Sequence, residues 1–310
     1  MSDIDSRAKS NEPAAVTIQA HAKTNLFLRV LAREESGYHS IETLFTLLEL
    51  HDSVTVERTT AGMALSVDGA ETGPARENLA YRAAAMVLDA TGRRFGVSIR
   101  LRKRIPVRSG LGGGSSDGAA ALHAVNRLAD NAVPHHEILQ FAAKLGSDVA
   151  FLASGAPLAI GWNRGERLFR LPAPPQAPVL LAIPGFGVST KKAYELLSAG
   201  RGSGSRRGSM VLDSDAFASW GGIARLGGND FETVLFGREP RLRELYERMA
   251  QTGPLLLRVS GSGSAVVALY KNDRHRDNAA AEIGEQAQTL IKTTTRPLTA
   301  PGPETVGASQ

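Results

Sequence analysis

The chain has 310 residues, 42% hydrophobic and 22% charged, with no cysteine; it is long enough to bury one large core or two, and it excludes disulfides, a thiolate metal site and a cysteine nucleophile. No apolar run is long enough to span a bilayer and the N-terminus is polar, so a cytoplasmic protein with no membrane partner is expected. The net charge of +5 permits nucleic-acid binding, but it is scattered and only 5% of residues are aromatic, so base-stacking platforms are scarce, and an acidic small molecule as the partner explains the positive balance as well.

Residues 1–13 are polar and read as a disordered arm. Alternating apolar and polar residues predict strands near 14–32, 39–50, 53–58 and 63–68. The first contains Ala20-His-Ala-Lys23-Thr-Asn25. Two-residue spacing puts Lys23 and Asn25 on one face, where a cation and an amide would hold a phosphoryl oxygen and a substrate hydroxyl; a lysine in a strand is otherwise simply solvated. Gly37-Tyr38-His39 follows, with one ring able to stack on a planar group and another able to hydrogen-bond to it. A helix is expected over 77–91 and a strand over 95–104.

Pro106-Val-Arg-Ser-Gly-Leu-Gly-Gly-Gly-Ser-Ser-Asp117 is the most informative stretch. It lies between that strand and an Ala-rich helix at 115–130, for which Ser115 or Ser116 is the expected cap. Glycines let backbone N–H groups turn inward, and the helix start adds unpaired N–H groups and the positive end of its dipole, so the layout is a cradle for a polyphosphate. No Gly-Lys-Ser/Thr follows, which excludes a Walker A loop, and contiguous glycines without a βαβ start fit a dinucleotide fingerprint poorly. A flexible linker is the bland alternative.

A helix at 135–145 precedes Leu145-Gly-Ser-Asp148. Asp148 reads as a turn carboxylate just past a helix, a general base, or an anion that orients a hydroxyl; a cation beside it would weaken it as a base. Residues 149–171 read as a hairpin. The Pro-rich break at 172–178 divides the chain into domains at 14–171 and 172–296, leaving a disordered tail at 297–310. Beyond the break come strand 179–183, helices near 190–198, 213–224, 228–236 and 239–251, strands 255–259 and 265–270, and a helix near 277–290. The Arg/Gly/Ser run 201–209 reads as a surface loop. Ser260-Gly-Ser-Gly-Ser264 between two strands supplies a second set of backbone donors. Strands and helices without strict alternation indicate an α+β fold.

Ala20-His-Ala-Lys-Thr-Asn-Leu, Pro106 to Asp117 and Ser260 to Ser264 resemble the three motifs of the GHMP kinase superfamily. Gly37-Tyr38-His39, Glu77-Asn78-Leu, Leu145-Gly-Ser-Asp148-Val and Gly228-Asn229-Asp230-Phe-Glu232 bring it closer to the bacterial branch that acts on a cytidine-diphosphate methylerythritol. The blocks run in family order over about residues 14–290. The resemblance implies an N-terminal domain like domain 2 of ribosomal protein S5 and a ferredoxin-like C-terminal domain. It implies transfer of the ATP γ-phosphoryl group to the substrate's 2-hydroxyl, with Mg2+, in the non-mevalonate route to isoprenoid precursors.

Carried over, Lys23 and Asp148 are the catalytic pair. Asn78, Lys103, Pro106, Gly110, Leu111, Gly112, Gly113, Gly114, Ser115 and Ser116 contact ATP. Asn25, Tyr38, His39, Asp148, Thr190 and Tyr194 bind the substrate, with Tyr38 and Tyr194 on either side of cytosine and His39 on its edge. No metal ligand is assigned, and a monomer or weak homodimer is expected. His21 stands where the family usually has Pro, and Arg108 where Gly is frequent. Another small-molecule GHMP kinase, or more distantly a basic nucleic-acid-binding protein, is the alternative.

Overall fold

The computed structural model describes residues 14–33, 38–200, 213–297 and 305–306. The expected disordered arm and the Arg/Gly/Ser loop at 201–209 lie outside the described residues, as does most of the expected tail.

The N-terminal part contains β1 (Ala15–Arg33), β2 (His39–Thr59), β3 (Met63–Asp68), α1 (Leu79–Ala90), β4 (Gly96–Arg102), α2 (Gly113–Leu128), α3 (His135–Leu145), α4 (Ser147–Ser154), β5 (Leu158–Asn163) and β6 (Arg167–Leu171). The C-terminal part contains β7 (Pro178–Ile183), α5 (Thr190–Gly200), α6 (Trp220–Arg225), α7 (Asp230–Arg238), α8 (Pro240–Gln251), β8 (Leu256–Val259), β9 (Val266–Leu269), α9 (Asp273–Ile283) and β10 (Thr289–Thr294); Thr305–Val306 (β11) pairs with β1. The first sheet runs β11-β1-β2-β4-β3, with β5 also on β2 and β6 on β5. The second runs β10-β7-β9-β8. With α5–α8 between β7 and β8 and α9 between β9 and β10, this is the ferredoxin-like order.

Alternation along the strands sorts side chains into layers. Val16, Ile18 and Ala20 of β1 pack under α1 and α2, whereas Ala22, Leu26 and Phe27 meet the second sheet. In β7, Val179, Leu181 and Ile183 face the N-terminal part, while Leu180 and Ala182 face the C-terminal helices. Both faces of β7 are therefore buried, and the two domains share a core.

Four local readings change. The strands expected at 39–50 and 53–58 are one strand, bulged opposite β1: His21 pairs with His51, but Lys23 pairs with Leu47. The apolar run after Ser147 is the helix α4, ended by Gly155 at φ +68°, and only the remainder is a hairpin; a short run buried all round has no period that separates helix from strand. The helix expected at 213–224 is a 3-10 turn over Ser214–Ala218 followed by α6. The last helix stops at Gly284 (φ +51°), and Thr289–Thr294, rich in β-branched residues, pairs with β7 instead of continuing it.

Candidate active site

A cavity of about 1100 Å³ lies between the two domains. The Gly-rich turn lines one part of it and the rings of Tyr38, His39 and Tyr194 another, and Lys23, Asn25, Asp148 and Thr190 also line the wall.

The turn leaves β4, closes through Ser109 Oγ donating to Pro106 O at 2.7 Å, and enters α2. Gly110 (φ +86°) and Gly112 (φ +74°) adopt the left-handed conformation that a Cβ disfavours. A Cβ on Gly110 would run into the carbonyl oxygens of Ser260 and Gly263, and one on Gly112 would lie 2.8 Å from Lys23 Cγ. The second Gly/Ser loop is fastened here as well: Ser260 Oγ donates to Gly110 O at 3.0 Å, and Ala265 N–H to Ser109 O at 2.9 Å.

The cap of α2 is Gly112, not Ser115 or Ser116, and no side chain caps this end. The helix begins two residues earlier than expected, so Gly113 and Gly114 belong to its first turn. With Ser115 they line the cavity, at the turn where helix N–H groups lack intrahelical partners. Ser116 departs from the expected set: its N–H bonds to Gly112 O at 2.8 Å and its Oγ donates to His21 O at 2.7 Å, inside the core. Leu111 is wholly buried and accepts Lys23 N–H through its carbonyl at 2.9 Å. This bond fixes the height of Lys23 on β1.

Lys23 is buried, with Nζ 3.1 Å from Asp148 Oδ2. It donates to Asn25 Oδ1 at 2.9 Å; Asn25 Nδ2 donates to Thr43 Oγ1 at 2.8 Å, and Thr43 donates to Phe27 O at 2.7 Å. The relay fixes which end of the Asn25 amide faces the cation. Asp148 lies just past α3, as expected, but in the first turn of α4 and not at the entrance of a strand, and stays partly open to the cavity.

The rings of His39 and Tyr194 stack with centroids 4.8 Å apart, and Tyr194 meets Phe231 edge-on. His39 Nε2 lies 2.9 Å from Ser198 Oγ. Tyr38 is exposed and carries the Arg164 guanidinium 4.0 Å above its ring. Thr190 Oγ1 bonds to Ser262 Oγ at 2.9 Å, joining α5 to the second Gly/Ser loop. Burial, then the charge of Asp148, pushes the Tyr194 phenol up to about 12, so it remains a neutral donor.

Asn78 and Lys103 carry structural roles that the motifs did not disclose. Asn78 caps α1 by accepting Ala80 N–H at 2.9 Å. Lys103 is clasped by Asp52 and Asp117, both fully buried carboxylates. Burial opposes its charge, but Asp117 and Asp52 outweigh that and push its pKa up. One cation cannot match two carboxylates: burial, against the pull of Lys103 and with the push of Asp52, raises Asp117 to about 7. The Lys103 ammonium is thus occupied within the wall of the cavity. Asn229 was named in a sequence block without a role; its Nδ2 ties Val259 O and Gly261 O at 2.8 and 2.6 Å, holding the second loop in place.

Residues 78–157 match the family model "GHMP kinases N terminal domain" and residues 214–288 match "GHMP kinases C terminal". The chain belongs to the GHMP kinase family. Among its GHMP relatives, the 4-diphosphocytidyl-2-C-methyl-D-erythritol kinase of Pelotomaculum thermopropionicum is 38% identical over 90% of this chain and 98% of its own length. The enzyme of the same name from Solibacter usitatus is 36% identical over 90% and 89%. A crystal structure of 4-(cytidine 5'-diphospho)-2C-methyl-D-erythritol kinase superposes with a TM-score of 0.75 at 35% identity, covering 90% of this chain and 98% of that one. Homoserine kinase from Cytophaga hutchinsonii shares the GHMP fold at a TM-score of 0.69 and 18% identity, covering 95% and 98%. No described helix is long and apolar enough to cross a membrane.

Proposed function

We propose that this GHMP kinase transfers the γ-phosphoryl group of ATP to the 2-hydroxyl of 4-diphosphocytidyl-2-C-methyl-D-erythritol. One observation carries the reading: the Lys23–Asp148 contact at 3.1 Å stands in the cavity lined by both the glycine-rich turn and the aromatic rings. Full-length relatives bearing that enzyme's name support the choice of acceptor.

Phosphoryl transfer asks for positioning and charge stabilisation more than for covalent chemistry. In this reading the N–H groups of Gly113, Gly114 and Ser115 hold phosphate oxygens at the positive end of α2. Lys23, held by Asn25 and Asp148, donates to the oxygens of the group in transit. Asp148 accepts the hydrogen bond of the acceptor hydroxyl, orients its oxygen toward the γ-phosphorus and receives its proton as the new P–O bond forms and the bond to ADP breaks. Tyr38, His39 and Tyr194 bind the cytosine end, and Thr190 adds a polar contact. Lys103 and Asn78 shape the nucleotide wall from within, and Pro106 and Leu111 set the path of the turn.

Mg2+ fits the donors present. Ser115 lines the cavity, while among the described residues no group of three His, Asp or Glu is placed to hold a metal ion. Such a site suits an ion held mainly by phosphate oxygens and water. When bound, Mg2+ would neutralise charge on the phosphates.

Incubation with Mg-ATP and the cytidyl acceptor is expected to release ADP and add one phosphoryl group to the acceptor, while mevalonate, homoserine and galactose leave ATP intact. No ADP with the cytidyl acceptor rejects the assignment; turnover of one of the others moves the chain to a different GHMP activity.

A further inference from the structure

A triphosphate brings several negative charges, and most of the cations around this cavity are already committed. The cationic side chains lining it are Lys23, Lys103, Arg108, Arg164 and Lys191. Lys23 faces Asp148, and Lys103 faces Asp52 and Asp117. Arg164 lies over the Tyr38 ring. Lys191 sits on α5, beside Thr190, whose Oγ1 bonds to Ser262 Oγ of the second Gly/Ser loop, and is not part of the Gly-rich turn. Arg108 alone among them belongs to the Gly-rich turn, where it is exposed. Its side chain makes no hydrogen bond or ion pair with any described residue.

Its backbone is the second observation. Arg108 has φ +58°, in the left-handed region that residues with a Cβ avoid. It lies two residues before Gly110 in a turn closed by Ser109 and pinned by Ala265 N–H. The loop after β7 packs against it: a Cβ on Gly187 would sit 3.4 Å from Arg108 Cβ and 3.5 Å from its carbonyl oxygen. A bulky, charged residue is thus held in a glycine-like conformation at the seam of the two domains, beside the uncapped start of α2, with its guanidinium uncommitted. Strain of this kind persists where its surroundings enforce it, and a guanidinium is suited to grip phosphate oxygens through two parallel N–H bonds.

We propose that Arg108 is a phosphate-binding residue that closes the cradle from the cavity mouth and engages the terminal phosphate oxygens of the bound nucleotide. The inference rests on ATP occupying the Gly-rich turn. The diphosphate of the acceptor offers the same chemistry, so the test separates the two sources.

Isothermal titration calorimetry of the full chain and of R108A, R108G and R108K would measure ATP, AMP and the cytidyl acceptor separately. Loss of a charge-assisted contact should weaken ATP binding roughly ten- to hundredfold in R108A and R108G. AMP binding should change by less than about twofold, and R108K should recover part of the loss. R108G relieves the backbone conformation, so its Tm should equal or exceed that of the parent, which keeps the result independent of misfolding. Parent-like ATP affinity in both R108A and R108G overturns the proposal, as does a loss confined to the acceptor. A parent chain that binds no ATP at all brings down the nucleotide site itself, a result distinct from either.

Discussion

Acid should loosen the joint between the two domains through His21. This residue is buried in β1, two positions before Lys23. Its Nδ1 lies 3.0 Å from Leu48 O and so carries the proton, leaving Nε2 to accept from Arg296, just beyond β10. Burial first, then the Arg296 guanidinium, with a smaller push from His51 and against the pull of the Leu48 bond, holds its pKa down from 6.5 to about 3. A histidine with a lower pKa folded than unfolded binds more protons when unfolded, so its contribution is whole above about pH 6.5 and is lost as pH falls toward 3. The full gap corresponds to roughly 5 kcal/mol, of which about 2 kcal/mol disappears between pH 8 and pH 5. His21→Gln supplies the comparison, because an amide can donate to Leu48 O and accept from Arg296 without titrating. Urea unfolding of both proteins at steps from pH 8 to pH 5 isolates the histidine, since every other titrating group is common to the pair. The parent should lose about 2 kcal/mol more than His21→Gln; equal losses would refute the buried neutral imidazole.

Other outcomes follow from the same geometry. Lys23→Met and Asp148→Asn should each lower kcat by about 10²- to 10³-fold while the acceptor KM moves only a few-fold, because Lys23 acts on the group in transit and Asp148 on the attacking hydroxyl; steady-state kinetics with normal turnover in either variant would remove that residue from the chemistry. Gly110→Ala places a Cβ against the Ser260 and Gly263 carbonyls in a left-handed backbone, and should cost about 2 kcal/mol or more and raise the ATP KM; an unchanged Tm would contradict the apposition of the two Gly/Ser loops. Lys103→Met leaves Asp52 and Asp117 buried without a counter-charge, a loss of about 3–5 kcal/mol in denaturant titrations that Asp117→Asn in the same chain should partly restore. No recovery in the double variant would mean that the three side chains do not act as one cluster.

The sequence made some of this legible because the signals were local. Lys23 and Asn25 share a strand face by a two-residue period, and the structure joins them at 2.9 Å. The Gly-rich turn announced a strand-to-helix junction, although the helix itself begins at Gly113, because the glycine that stops the turn, Gly112, also caps it. What escaped was long-range or lacked a period. His51-Asp52 fell between two expected strands; the two are one strand with a bulge, whose Leu48 bridges to Thr295 and whose Leu50 N–H bonds to Thr293 Oγ1, and the pairing of Ser53 with Arg102 carries Asp52 to Lys103. His21 showed as a departure from the family pattern, but its partner Arg296 is 275 residues away. Asp148 was picked out for its chemistry while its helix went unread, because Val149-Ala-Phe-Leu-Ala153 is apolar on every side and carries no phase.

The most direct measurement is a crystal structure with a non-hydrolysable ATP analogue and the cytidyl acceptor both bound. The account predicts the phosphates over Gly112–Ser115, Lys23 Nζ within about 3.2 Å of the terminal phosphate oxygens, and the acceptor's 2-hydroxyl at the same range from Asp148. A nucleotide seated away from that turn, or an acceptor hydroxyl pointing away from Asp148, would contradict it.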